Sequence, residues 1–168
     1  MTSLPTERLS MRLNGRLVEA AIDPRALLIE AVRELGAKGA RIGCLTGDCG
    51  ACSLELDGRL IKSCLVLAVS AAGSDIVTIE GSRDAISRET QEAFKTCGAF
   101  QCGFCTSGMI MVAIDLLRRN PEPTEADIRR AISGNLCRCT GYESIVNAID
   151  SAAKALREKS AKRIEKGE

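Results

Sequence analysis

The sequence predicts an α+β protein, with two β-hairpins and one helix in an N-terminal domain and a four-helix bundle in a C-terminal domain. Up to about Gly81, short apolar runs alternate with polar residues and are interrupted by turn dipeptides, as in β-strands. Beyond Ser82 the apolar residues recur near every 3.6 positions, as in amphipathic helices. We therefore expect one domain over residues 1–81, a helical domain over 82–156 and a charged tail over 157–168.

The first hairpin is predicted around Asn14-Gly15, a dipeptide that favours the tight turn joining two strands. Its first strand ends at Leu13 and its second runs from Arg16 to Ile22. Asp23-Pro24 then resembles a helix start, with the carboxylate as N-cap and the proline in the first turn. The helix is expected to end at Gly36.

The rest of the N-terminal domain combines a long loop with a second hairpin. Residues 39–52 hold glycines and cysteines without periodicity, which indicates a loop. A hairpin is predicted around Asp57-Gly58, and a last short strand over 76–79. Two hairpins, one helix and a cysteine-bearing loop together describe a β-grasp domain.

Four helices are predicted in the C-terminal half. Their expected ranges are 85–98, 105–119, 125–133 and 142–157. Thr124, followed three residues later by Asp127, resembles a capping box at the start of the third of these helices. The tail from Arg157 to Glu168 is dense in charge, and we expect it to fray into solvent.

Composition excludes several classes of protein. With 45% hydrophobic and 27% charged residues among 168, the chain is globular, and its net charge of +1 gives no electrostatic case for nucleic acid. No apolar run approaches the ~18 residues of a membrane span. The odd number of cysteines and the lack of a signal-peptide pattern argue against a secreted disulfide protein, so we expect a cytoplasmic location.

Eight of the nine cysteines fall into two quartets. The first quartet is Cys44, Cys49, Cys52 and Cys64, and the second quartet is Cys102, Cys105, Cys137 and Cys139. Four thiolates suit a [2Fe–2S] cluster, with two sulfurs on each iron, and the first spacing is the plant-type pattern. Since the chain contains no histidine, a Rieske centre, which needs two imidazoles, is excluded. The pattern therefore predicts two [2Fe–2S] clusters and electron transfer.

The residues between the cysteines also suit cluster binding. Glycines interleave the ligands, where they let backbone N–H groups approach the sulfurs: these are Gly43, Gly47, Gly50 and Gly103. Cys137 and Cys139 are two positions apart and do not share a helix face, so we expect a turn over 136–140. Arg41 and Arg138 either add positive charge nearby or are solvated surface side chains. Cys97, the ninth cysteine, is read as a small buried hydrophobe on a helix.

Two alternatives stay open from the residues themselves. Each quartet could hold a structural zinc ion, because zinc bound by four cysteines is common, and the chain would then be an interaction module. The chain could also be a free ferredoxin-type carrier. Free carriers dock through charge and are often strongly acidic, whereas this chain is near neutral, which favours a permanent partner.

Three segments carry a family likeness: Gly43–Cys52, Gln101–Cys105 and Gly134–Tyr142. With them the chain resembles the small iron–sulfur subunit of the xanthine oxidase family of molybdenum hydroxylases. The resemblance implies a plant-type ferredoxin-like domain followed by a four-helix bundle, each with one [2Fe–2S] cluster. It further implies a large subunit with molybdenum–pterin in its cytosine dinucleotide form and a medium subunit with FAD, in a heterotrimer or a dimer of heterotrimers.

The resemblance also assigns roles to the cysteines. It implies that the second quartet holds the cluster near molybdenum, which receives electrons first, and the first quartet the cluster near the flavin. Gln101 and Cys139 match positions that touch the pterin, although Gln101 could instead cap a helix. One departure is Ser107, which stands where the family usually has proline, and we expect it to loosen the start of the following helix.

Overall fold

The computed structural model describes residues 6–165, which form a five-stranded sheet with one helix packed on it, followed by four further helices. The strands are β1 (Glu7–Leu13), β2 (Arg16–Ile22), β3 (Ser53–Leu56), β4 (Arg59–Lys62) and β5 (Asp75–Val77). The helices are α1 (Leu28–Glu34), α2 (Ala85–Thr96), α3 (Thr106–Arg119), α4 (Glu125–Ile132) and α5 (Glu143–Glu165). The outer ends of the predicted first domain and charged tail, residues 1–5 and 166–168, lie outside the described residues.

The sheet has the order β2-β1-β5-β3-β4, so β5 lies between the two predicted hairpins. It pairs parallel to β1 and antiparallel to β3. Asn14-Gly15 and Asp57-Gly58 both adopt the left-handed backbone conformation that tight hairpin turns require, with φ of 51° and 80°, and 50° and 75°. Apolar residues of β1, β3 and β5 pack on α1 in one core. The predicted β-grasp fold is confirmed.

The predicted start of α1 is wrong. The Asp23 carboxylate accepts hydrogen bonds from the backbone and side chain of Arg25, so it closes a local turn and caps no helix. The helix begins only at Leu28, and the Glu30 carboxylate accepts the N–H of Leu27 at 2.8 Å. The short Asx-type turn closed by Asp23 therefore forms in place of the first helical turn predicted at Pro24. The predicted end is confirmed, because Gly36 has a φ of 101°.

The four predicted helices of the C-terminal half are confirmed, with α3 buried at the centre of the bundle. Thr124 and Asp127 form the predicted capping box: each accepts a backbone N–H of the other, at 3.2 and 3.0 Å. Ser107 lies in the first turn of α3, which begins at Thr106, so the helix accommodates the serine without interruption. No helix among the described residues is long and apolar enough to cross a membrane.

The expectation that the chain frays from Arg157 is wrong as far as Glu165, because α5 continues to that residue. Lys159 forms an ion pair with Glu89 of α2, whose side chain is largely buried. Good helix-forming residues and this pairing explain the continuation. The last three residues of the predicted tail lie outside the described residues.

Deleting residues 157–168 is expected to leave both clusters in place. Among the side chains that the structure describes, the last apolar one packed on the bundle core is that of Leu156, which precedes the cut. The described ion pair that is lost joins the exposed Lys159 to the largely buried Glu89 and is worth about 1 kcal/mol. Iron content per chain should therefore match that of the intact protein. A longer deletion from Ala152, which is fully buried, is the contrasting variant and should lose stability. Loss of iron on removing 157–168 alone would show that this segment supports a cluster.

The two halves of the chain are joined through α3, which packs on the face of β3 opposite to the β-grasp core. Ser53 and Glu55 are buried on that face. At the other end of the contact, a Cβ atom on Gly108 would lie 2.3 Å from the backbone oxygen of Gly50. The absence of a side chain at Gly108 thus lets α3 touch the cysteine-bearing loop directly.

Candidate functional site

The β3–β4 hairpin brings together two cysteines of the first quartet. Cys52 directly precedes β3 and Cys64 closely follows β4, and the register pairs Ser53 with Lys62. The Ser63 hydroxyl donates to the Cys52 carbonyl oxygen at 2.7 Å. Both Cys52 and Cys64 are buried, and their thiols interact with each other. Antiparallel pairing therefore converts a sequence separation of twelve residues into one thiol pair.

The other two cysteines of the first quartet lie on the loop before β3, which curls around Cys44. The backbone N–H groups of Thr46 and Cys49 both donate to the Cys44 sulfur at 3.4 Å. Leu45 and Gly47 have φ values of 61° and 85°, a left-handed backbone that aims the N–H groups inward. The Thr46 side chain, followed by the N–H groups of Cys49 and Thr46, lowers the pKa of Cys44 to about 5.

The cysteines of the second quartet come from two separate segments of the helical domain. Cys102 and Cys105 directly precede α3, whereas Cys137 and Cys139 lie on the non-helical connection between α4 and α5. The predicted turn over 136–140 is therefore confirmed. The sulfurs of Cys102 and Cys139 are 3.7 Å apart, and the thiols of Cys105 and Cys137 interact.

Two residues of the same connection hold Cys137. Thr140 donates to its sulfur from the hydroxyl at 3.0 Å and from the backbone N–H at 3.4 Å. The Tyr142 hydroxyl oxygen accepts the Cys137 N–H at 2.8 Å. Burial acts to raise the pKa of Cys137, but the Thr140 hydroxyl and neighbouring N–H groups outweigh it and lower the pKa. The thiolate of Cys137 is thus stabilised before any metal binds.

Two other cysteines have the opposite electrostatic environment. Burial raises the pKa of Cys64 to about 11 and that of Cys105 to about 12. Since thiolates are the metal ligands, binding at these two residues must release protons. Each quartet therefore combines one cysteine whose pKa is lowered, Cys44 or Cys137, with one whose pKa is raised, Cys64 or Cys105.

The donor set fits a dinuclear cluster. A [2Fe–2S] cluster divides its four thiolates between two irons, so it needs thiol pairs rather than one convergent group. The second quartet offers two such pairs, Cys102 with Cys139 and Cys105 with Cys137. N–H groups aimed at sulfur are the donors that such clusters use.

In the structure, four further residues from the sequence analysis have different environments: Arg41, Gln101, Arg138 and Cys97. Arg138 lines an open groove of about 490 Å³ that also contains all four cysteines of the second quartet. The guanidinium of Arg41 lies 5.7 Å from the ring centre of Phe104, so it bridges the two cysteine-bearing regions. Gln101 is exposed next to Cys102. Cys97, the C-cap of α2, packs against the bundle core but is only half-buried, so the burial predicted for it is partial.

The two cysteine loops touch each other directly, a contact that sequence reasoning missed. The Leu136 N–H donates to the Cys49 carbonyl oxygen at 2.9 Å. The side-chain amide of Asn135, which is 3% exposed, donates to the Gly50 oxygen at 3.2 Å. Lys62 also reaches this region, with its ammonium 2.5 Å from the Gly47 carbonyl oxygen. Asn135 lies within a motif that the sequence singled out, whereas nothing in the sequence distinguished Lys62 from a solvated lysine.

Comparison with known proteins agrees with this geometry. Residues 78–150 match the model of the [2Fe-2S] binding domain family. The chain is 44% identical to the nicotine 6-hydroxylase small subunit of Paenarthrobacter nicotinovorans, over 88% of this chain and 92% of that protein. It is 41% identical to the xanthine dehydrogenase iron-sulfur-binding subunit of Escherichia coli O157:H7, over 89% and 96%. The crystal structure of quinoline 2-oxidoreductase from Pseudomonas putida 86 superposes with a TM-score of 0.84 at 42% identity, covering 92% of this chain and 98% of that one.

Proposed function

The chain belongs to the small iron–sulfur subunits of the xanthine oxidase family of molybdenum hydroxylases, and on that premise we propose that it relays electrons from a molybdenum–pterin site to FAD. Both groups are bound by partner subunits, a large one and a medium one, in a heterotrimer or a dimer of heterotrimers. The first and second quartets each hold one [2Fe–2S] cluster, which when bound accepts and gives up single electrons. Substrate oxidation takes place on the large subunit.

The observation that carries this proposal is the hydrogen bond between the two cysteine loops. Cys49 belongs to the first quartet, and Leu136 directly precedes Cys137 of the second. The 2.9 Å contact from the Leu136 N–H to the Cys49 oxygen therefore connects ligands of both quartets through backbone atoms and one hydrogen bond. Next to this contact, Gly50, Gly108 and Asn135 are buried and pack closely together. Two cysteine sites held this close suit transfer from one to the other.

The exposed surface around each quartet supports two different partners. Phe100, Phe104 and Leu136 are exposed beside the second quartet, whereas Leu45 and Leu65 are exposed beside the first. Exposed apolar groups clustered at functional residues are typical of protein interfaces. We assign the surface beside the second quartet to the large subunit and the surface beside the first quartet to the medium subunit. Gln101 and Cys139 are exposed at the surface beside the second quartet, and this exposure fits contact with the pterin of the large subunit.

A free-standing carrier is the second candidate function. Near-neutral charge together with exposed apolar side chains at both quartets favours permanent partners over repeated charge-steered docking.

A cytoplasmic location fits nine unpaired cysteines, which a reducing compartment preserves.

Native mass spectrometry of the protein purified from its own cells tests the proposal. We expect a complex containing two larger subunits with molybdenum and FAD, and about four iron atoms per copy of this chain. A lone brown species of this chain's mass would favour the free carrier. A colourless, iron-free protein that contains zinc would contradict both.

A further inference from the structure

Lys62 places a positive charge between the two cysteine loops. Its ammonium group donates to the Gly47 carbonyl oxygen of the first loop at 2.5 Å. The same nitrogen lies 3.4 Å from the position that a Cβ atom on Gly134 would occupy, at the start of the segment that carries Cys137 and Cys139. The ammonium group therefore hydrogen-bonds the first cysteine loop and lies close to the start of the segment that carries Cys137 and Cys139.

The hairpin determines this position. Lys62 is the last residue of β4, and its register partner Ser53 directly follows Cys52. Cys64 comes two residues after Lys62. The lysine is thus flanked by two ligands of the first quartet, and its half-buried side chain extends toward Gly134.

Among the described side chains, those of residues 6–162, no carboxylate forms an ion pair with Lys62. The lysines that do form ion pairs there are Lys95, Lys154 and Lys159, whereas Lys62 contacts a backbone carbonyl. A carbonyl oxygen solvates an ammonium group but does not cancel its charge. The full positive charge therefore acts on its surroundings.

Four thiolates give each [2Fe–2S] cluster a net negative charge, which grows when an electron is added. A nearby fixed cation stabilises the reduced state more than the oxidised state and so raises the reduction potential. A cation between two such groups also weakens the repulsion that the first added electron exerts on the second. Lys62 is placed where it acts on both.

We propose that Lys62 tunes the electron relay: its ammonium charge raises the reduction potentials of both clusters, with the larger effect on the cluster of the first quartet. This inference rests on the proposed function. Lys62 acts only through its charge, so no bond forms or breaks at its side chain and no proton leaves it. Each cluster takes one electron from an external reductant and passes it to an external acceptor.

EPR-monitored redox titration of the intact complex, with dithionite and redox mediators, tests this role. Lys62→Gln removes the charge and keeps an amide donor for Gly47. At the midpoint potential of the unmodified protein, the ratio of reduced to oxidised first cluster should fall about tenfold, equivalent to ~59 mV for one electron. Lys62→Arg should restore the ratio. Lys95→Met, at an exposed lysine of α2, is the control and should leave it unchanged.

The outcomes separate this inference from the function on which it rests. Unchanged midpoint potentials in Lys62→Gln, with both EPR signals present, would overturn the role of Lys62 and leave the relay intact. A complex without two [2Fe–2S] signals before any substitution would overturn the proposed function instead. If Lys62→Gln loses iron, the midpoint of Lys62→Met decides, and a loss of iron there too would show that Lys62 is required for assembly and contradict a tuning role.

Discussion

Cys137→Ser is expected to remove the cluster of the second quartet and leave that of the first. A serine hydroxyl is nearly isosteric with the thiol but lacks the soft thiolate that binds iron. Iron should fall from about four to about two atoms per chain, and one of two EPR signals should disappear. Electron transfer to the flavin should fall at least about 10-fold, because Cys137 directly follows the residue that contacts the first loop.

Cys97→Ser is the matched control for this substitution. Cys97 is half-buried at the end of α2 and belongs to neither quartet, so iron content and both EPR signals should persist. Thr140→Val removes the hydroxyl that donates to the Cys137 sulfur and accepts the Tyr142 N–H, but it keeps the backbone donor and all four thiols, so it should keep the cluster. Two undiminished EPR signals in Cys137→Ser would contradict the assignment of the second quartet.

Arg118→Leu is expected to produce the largest loss of folding stability among substitutions that break an ion pair. Arg118, near the end of α3, forms ion pairs with Glu55 of β3 and with Asp84, the N-cap of α2. The Glu55 side chain is only 8% exposed, whereas Arg118 is 35% exposed. Removing the guanidinium leaves a buried carboxylate unpaired, which costs about 2–4 kcal/mol of unfolding free energy once the partial exposure of Arg118 is allowed for.

Urea unfolding measures this loss, and a second substitution identifies its cause. Adding Glu55→Leu to Arg118→Leu removes the unpaired carboxylate and should recover most of the lost stability. Arg129→Leu is the control, since Arg129 forms exposed ion pairs with Glu125 and Glu143 and should cost less than about 1 kcal/mol. Equal losses in the single and double variants would show that Arg118 stabilises through packing rather than charge.

Acid should reduce the difference between the parent protein and Arg118→Leu. Burial acts to raise the pKa of Asp84, but the Ser87 N–H and Arg118 outweigh it and lower the pKa below 3.8. A lowered folded-state pKa contributes stability above the unfolded pKa, and that stability is lost as the pH falls through the folded value. The part of the difference that the Asp84–Arg118 pair contributes should therefore be constant well above pH 4 and shrink below about pH 4.

Both hairpins and the four bundle helices could be predicted from the sequence and are confirmed, and the sequence also groups eight cysteines into two predicted quartets. These features depend on local chemistry: Asn14-Gly15 and Asp57-Gly58 allow left-handed turns, and close cysteine spacings limit which thiols can meet. The start of α1 was the local failure, because the carboxylate of Asp23 serves a turn as readily as a helix.

Only the tertiary structure decided how the two quartets face each other. The contacts of Leu136 with Cys49, of Lys62 with Gly47 and of Arg118 with Glu55 join residues 87, 15 and 63 positions apart. Periodicity describes one element at a time, so it cannot tell which lysine or arginine lies between elements. When α3 packs on β3, particular polar groups are buried away from water. Each buried group then requires a hydrogen-bond or ionic partner from the other element, and this requirement selects the residues that pair.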